Sequence, residues 1–74
     1  MRKYLTVHGY GQGVHWRCIY ANSAQAIEST FEGLTIYENP PSFWTHKMEK
    51  RTDSHILGSP IKDKALLRLR RVAA

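Results

Sequence analysis

The stretch "LTVHGYGQGVHWRCIY", Leu5 to Tyr20, decides how this chain folds. Three glycines alternate with other residues between His8 and His15. A phosphate-cradling loop of the dinucleotide type lies between a strand and a helix, so that the helix N-terminus meets the pyrophosphate. Here the glycines run straight into the strand-like "VHWRCIY", and their spacing is GxGxG, without the third glycine two residues further on. The stretch therefore reads as a β-hairpin with Gly11 and Gln12 in its loop. A glycine at the first loop position suits a type II′ turn, whose positive φ there matches the twist of the flanking strands.

This turn sets His8 opposite His15, Val7 opposite Trp16, Thr6 opposite Arg17 and Leu5 opposite Cys18. Side chains alternate along a strand. Leu5, Val7, Val14, Trp16, Cys18 and Tyr20 then share one face, expected to point to the core. Tyr4, Thr6, His8, Tyr10, His15 and Arg17 share the other, expected to face solvent. A slip of one residue would destroy this sorting.

Downstream of the hairpin the period changes. Asn22 or Ser23 can cap a helix running to about Glu32, with Ala24, Ile27 and Phe31 on one stripe and Gly33 as its stop. That helix is expected to pack on the apolar face of the hairpin. "LTIYE", Leu34 to Glu38, reads as a third strand ended by Asn39-Pro40-Pro41. A crossover from the second strand to the third usually returns parallel, which makes the third strand antiparallel to the first and suggests the order 2-1-3. "SFWTHKMEKR" suits a short helix capped by Ser42 or Thr45. "TDSHILGSP" shows no clear period and reads as a linker. Ser59 as cap and Pro60 at the first helical position predict a last, amphipathic helix, with Ile61, Ala65, Leu66, Leu69 and Val72 on one side.

The fold class expected is thus α+β: a compact ββαβ domain over residues 1–52, a three-stranded sheet with a helix on one face followed by a short second helix. A linker over 53–58 and a basic C-terminal helix over 59–74, marginal unless it docks, complete the chain. At 74 residues this is one small domain with a modest core. Cys18 is the only cysteine, which removes any disulfide framework and any Cys-pair zinc site. It is expected to be a small buried hydrophobe rather than a nucleophile, since a reactive thiolate needs an exposed electropositive site. No apolar run is long enough to cross a bilayer and no signal-peptide pattern opens the chain, so no membrane contact and a cytoplasmic location are expected.

Charge is unevenly placed. Residues 1–46 balance three basic against three acidic side chains, whereas residues 47–74 hold eight basic against three acidic, the whole formal +5. The acids are few and scattered, so paired catalytic carboxylates are not indicated and a non-enzymatic binding module, without a cofactor, is the expected class. The basic end is the main functional signal. Lys64, Arg68, Arg70 and Arg71 can neutralise phosphates of a nucleic acid without reading sequence, with Tyr37, Phe43 and Trp44 as stacking surface. Alternatively, Leu66 and Leu69 dock the helix on a protein partner or a second copy. A further candidate is a metal- or proton-handling site on the exposed hairpin face, at His8, Tyr10, His15 and Arg17. Two histidines are too few for a metal, so no tightly bound transition ion is expected.

Overall fold

The computed structural model describes residues 1–10 and 13–71 except the side chain of Tyr10, so the candidate-site reading at Tyr10 lies outside it. The turn type expected at Gly11-Gln12 and the place of Val72 lie outside the described residues. Strands β1 (Arg2–Tyr10) and β2 (Gly13–Ala21) form an antiparallel hairpin. Its register pairs His8 with His15, Val7 with Trp16, Thr6 with Arg17 and Leu5 with Cys18, as the alternation predicts.

Helix α1 (Ala24–Thr30) follows, with the Ala26 N–H donating to Ser23 Oγ at 3.1 Å as its N-terminal cap. It ends at Phe31, and Gly33 turns the chain with φ +81° into β3 (Thr35–Tyr37), which pairs antiparallel with β1. Helix α2 (His46–Arg51) is capped by Thr45, whose Oγ1 accepts the Met48 N–H. The segment expected as a linker instead supplies a fourth strand, β4 (Asp53–Ile56), parallel to β2. The sheet is therefore four-stranded and mixed, in the order β3-β1-β2-β4. The α+β class stands, and the three-stranded ββαβ arrangement is corrected. The four residues of β4 are too short and too polar to show a period of their own, and the edge of β2 supplies the missing ladder.

The topology also corrects which face the first helix covers. β2, β3 and β4 run parallel to one another, with β1 inserted antiparallel. The crossover through α1 travels one way across the sheet and the crossover through α2 travels back. Crossovers keep one hand almost without exception, so two that travel in opposite directions place their helices on opposite faces. α1 packs on the face of Tyr4, Ile19 and Ala21, which with Ile27, Phe31 and Leu66 form the buried cluster. α2 covers the face of Leu5 and Cys18, where Glu49 meets Lys3 and approaches the Cys18 Sγ. Both faces of the hairpin thus contain buried residues. Arg17, expected in solvent, is 0% exposed, and Val14, expected inside, is 62% exposed.

The C-terminal segment differs from the long helix expected from Ser59. Only α3 (Lys64–Leu67) is helical, and its cap is Asp63, whose Oδ1 accepts the Leu66 N–H at 3.1 Å. Beyond it the backbone leaves the helix to bond the end of α1, with Arg71 N–H to Thr30 O and Glu32 N–H to Leu69 O both at 2.9 Å. The segment is docked, because extended pairing satisfies the Thr30 carbonyl at the C-terminus of α1 and the Glu32 N–H beyond it, which a continued helix would leave open.

Candidate functional site

Three groups of side chains have the chemistry for a site. The first is on the α1 face. β2 contributes His15 and Arg17, β4 contributes Asp53 opposite Arg17 and His55 opposite Ile19, and the α3 cap contributes Asp63. The Arg17 Nε–H donates to Asp63 Oδ2 at 2.7 Å, while Nη1 and Nη2 are buried without a hydrogen-bond partner. The Arg17 guanidinium, aided by the Leu66 N–H, lowers the Asp63 carboxyl to about 2 despite the opposing effect of burial. His55 Nε2 is buried without a hydrogen bond, 3.7 Å from the same carboxylate oxygen. One ligand atom each of His15, Asp53 and Asp63 lie within 4.8 Å of one another. His8 pairs with His15 across the hairpin, but the carboxylates come from β4 and the α3 cap.

The second group lies on the α2 face. Trp16 is in ring contact with Trp44 at 5.1 Å between centroids, and with Tyr37 and Phe43 at 5.9 Å each. The sequence named Tyr37, Phe43 and Trp44 as stacking surface, and the fold gathers all three around Trp16. The Trp44 Nε1–H donates to Glu49 Oε2 at 2.8 Å, and Lys3 bonds the other carboxylate oxygen. These bonds, Lys3 first, hold the Glu49 carboxyl below its ordinary value and raise the Lys3 ammonium. Phe43 is 58% exposed beside them. α2 carries Lys47, Lys50 and Arg51 on this face, all exposed.

The third group is the basic C-terminal segment. Lys64, Arg68, Arg70 and Arg71 are exposed, but Arg71 is turned back on α1, with its Nε–H donating to Glu28 O at 2.6 Å and Nη1 at 3.5 Å from Glu32. Leu66 is in the core, and Leu69, partly buried, packs against it. Cys18 is buried, and burial pushes its thiol up. An open cleft of about 540 Å³ between Phe31, Leu57, Ile61 and Leu67 has Arg70 as its one ionisable lining residue among the described residues.

Among the described residues, no helix is long and apolar enough to cross a membrane. Comparison of the chain with protein families, with characterised proteins and with solved structures finds no match.

Sequence reasoning missed Asp53, His55 and Asp63 as members of the α1-face group. Asp63 carried a readable signal: it stands three residues before Leu66, the spacing of a helix cap. Asp53 and His55 carried none, because a parallel edge strand is placed by its crossover and not by its own pattern.

Proposed function

We propose that the protein is a small non-enzymatic module that binds single-stranded nucleic acid weakly and without sequence preference. The observation that supports this is the aromatic group of Trp16, Tyr37, Phe43 and Trp44, open at Phe43 and on the same face as the basic helix α2. Every base has a π face, so stacking on an aromatic side chain tolerates any sequence and contributes about 1–3 kcal/mol per base. Stacking needs unpaired bases, which favours single strands over duplex. Lys47, Lys50 and Arg51 supply phosphate contacts there, while Lys64, Arg68 and Arg70 on the other side of the sheet add to the long-range attraction of a chain with pI ≈ 9.7.

Fluorescence anisotropy with labelled single-stranded and duplex oligonucleotides, at two salt concentrations, tests this reading. Single strands bind more tightly than duplex, and the logarithm of affinity falls with that of salt by about 0.7 per phosphate contact. Phe43→Ala lowers affinity roughly 5-fold or more, the value of one lost stack. Replacing Lys47, Lys50 and Arg51 by Gln reduces the salt slope by about 2, at three contacts. Loss on replacing Lys64, Arg68 and Arg70 instead, with Phe43→Ala silent, transfers the interface to the C-terminal segment. Absence of binding at low salt overturns the nucleic-acid reading altogether.

A further inference from the structure

We propose that His15, Asp53 and Asp63 form a divalent-cation site on the α1 face, suited to a first-row transition ion such as Zn²⁺. The site is independent of the nucleic-acid reading, which concerns the opposite face of the sheet. Its three ligand atoms come from β2, β4 and the α3 cap, and lie within 4.8 Å of one another. Metal–ligand bonds of about 2.0–2.2 Å in a tetrahedral array put donors about 3.3–3.6 Å apart, so ligand atoms at the 4.8 Å limit must approach by about 1.2–1.5 Å, which side-chain torsions can supply.

A second observation concerns how these groups are engaged. Among the described residues, the side chains of His15 and Asp53 have neither a hydrogen bond nor an ion pair, although they converge. Asp63, by contrast, is oriented on both oxygens, Oδ2 by the Arg17 Nε–H and Oδ1 by the Leu66 N–H. Such bonding of a carboxylate by an outer partner is how metal sites hold their ligands in place. Two carboxylates against one guanidinium leave a negative charge for a cation to neutralise. His55 Nε2, buried without a hydrogen bond 3.7 Å from Asp63, is a further nitrogen donor at the margin of the set. One imidazole with two carboxylates suits zinc, manganese or cobalt, whereas an oxygen-only set would suit calcium or magnesium. Three protein ligands leave at least one position open to water.

The test is calorimetric titration of the full chain with Zn²⁺ and Co²⁺, with Mg²⁺ and Ca²⁺ as competitors. One ion binds per chain, and a saturating concentration raises Tm. Asp53→Asn and His15→Gln each lower the affinity at least ~10-fold, since loss of an outer partner alone costs about that much. Both positions are at least partly open to solvent, and circular dichroism confirms that the variants fold. His46→Gln, which removes an exposed histidine on α2, leaves the affinity unchanged. Three results overturn the site: no one-to-one binding, an affinity unchanged in Asp53→Asn, or a preference for Mg²⁺ or Ca²⁺. An equal loss in His46→Gln also overturns it, because binding would then be adventitious on surface histidines.

Discussion

Arg17 is fully buried and bonded through Nε alone, with both terminal nitrogens unsatisfied. A buried ion pair returns little when its desolvation is set against an apolar pair, but removing one partner strands the other's charge. Replacing both partners, Arg17→Met with Asp63→Asn, is therefore expected to leave stability within about 1 kcal/mol of wild type, whereas Asp63→Asn alone, which strands the Arg17 charge, costs about 3 kcal/mol in urea denaturation. Similar losses in both variants would show that the pair itself is stabilising. The same carboxylate sets an acid limit. Asp63, at about 2, and Glu49 both titrate below their ordinary values in the folded state. Their contribution to stability is thus complete above the ordinary carboxylate range, and is lost as pH falls through about 4 towards 2. Unfolding midpoints of the metal-free chain between pH 5 and pH 2 should show this fall, and it should be shallower in Asp63→Asn. The polar register at His8, His15 and Arg17 was legible from alternation. The burial of Arg17 was not, since an arginine on a strand carries no mark of what will cover it.

At the scale of elements, the starts of α1 and α2 were readable to within two candidate caps each, whereas Ser59, expected to cap the last helix, gives way to Asp63. Ser23 and Thr45 start α1 and α2 where short hydroxyl side chains can take up the free N–H groups. The end of α1 depends on Gly33, whose φ of +81° an L side chain rarely adopts, and whose added Cβ would lie 3.5 Å from the His8 ring. Gly33→Ala is expected to cost about 1–2 kcal/mol, the penalty of a left-handed conformation. Gly13→Ala has open space around the new methyl and should change stability by no more than about 0.5 kcal/mol, as surface substitutions do. Thermal or urea unfolding of the two variants checks the contrast, and equal effects would show that the turn at Gly33 can reorganise. α3 illustrates the opposite case. Pro60 and the apolar spacing favoured a long helix, but a four-residue turn held by Asp63 wins because the following backbone pairs with Thr30 and Glu32.

At the scale of the whole molecule, the C-terminal third is part of the fold. β4 completes the sheet beside β2, Leu66 is in the central cluster, and Asp63 accompanies Arg17. A chain ending at Thr52 removes all three. Small domains have little stability to lose, so this chain is expected to show no cooperative unfolding transition. Circular dichroism and urea titration check it, and a cooperative transition would show that residues 1–52 fold on their own. Interface tests on this protein accordingly need charge and ring substitutions in the full chain.

The sequence by itself determined the hairpin, its register, the third strand beside the first, the starts of two helices to within two candidate caps each, and the separation of charge. Apart from the third strand, which the crossover rule places, and the charge balance, each depends on neighbours along the chain or on strict alternation, which local chemistry specifies. It also named three of the four rings that meet on the α2 face, though not their meeting at Trp16. Only the tertiary structure decided which face each helix covers, that residues 53–56 form a strand, and that Asp53 and Asp63 join His15. The reason is that two crossovers of one hand, travelling in opposite directions, cover both faces of the sheet whatever the hairpin's own pattern favours. The edge strand and the last turn are then drawn to the groups that those crossovers leave unpaired.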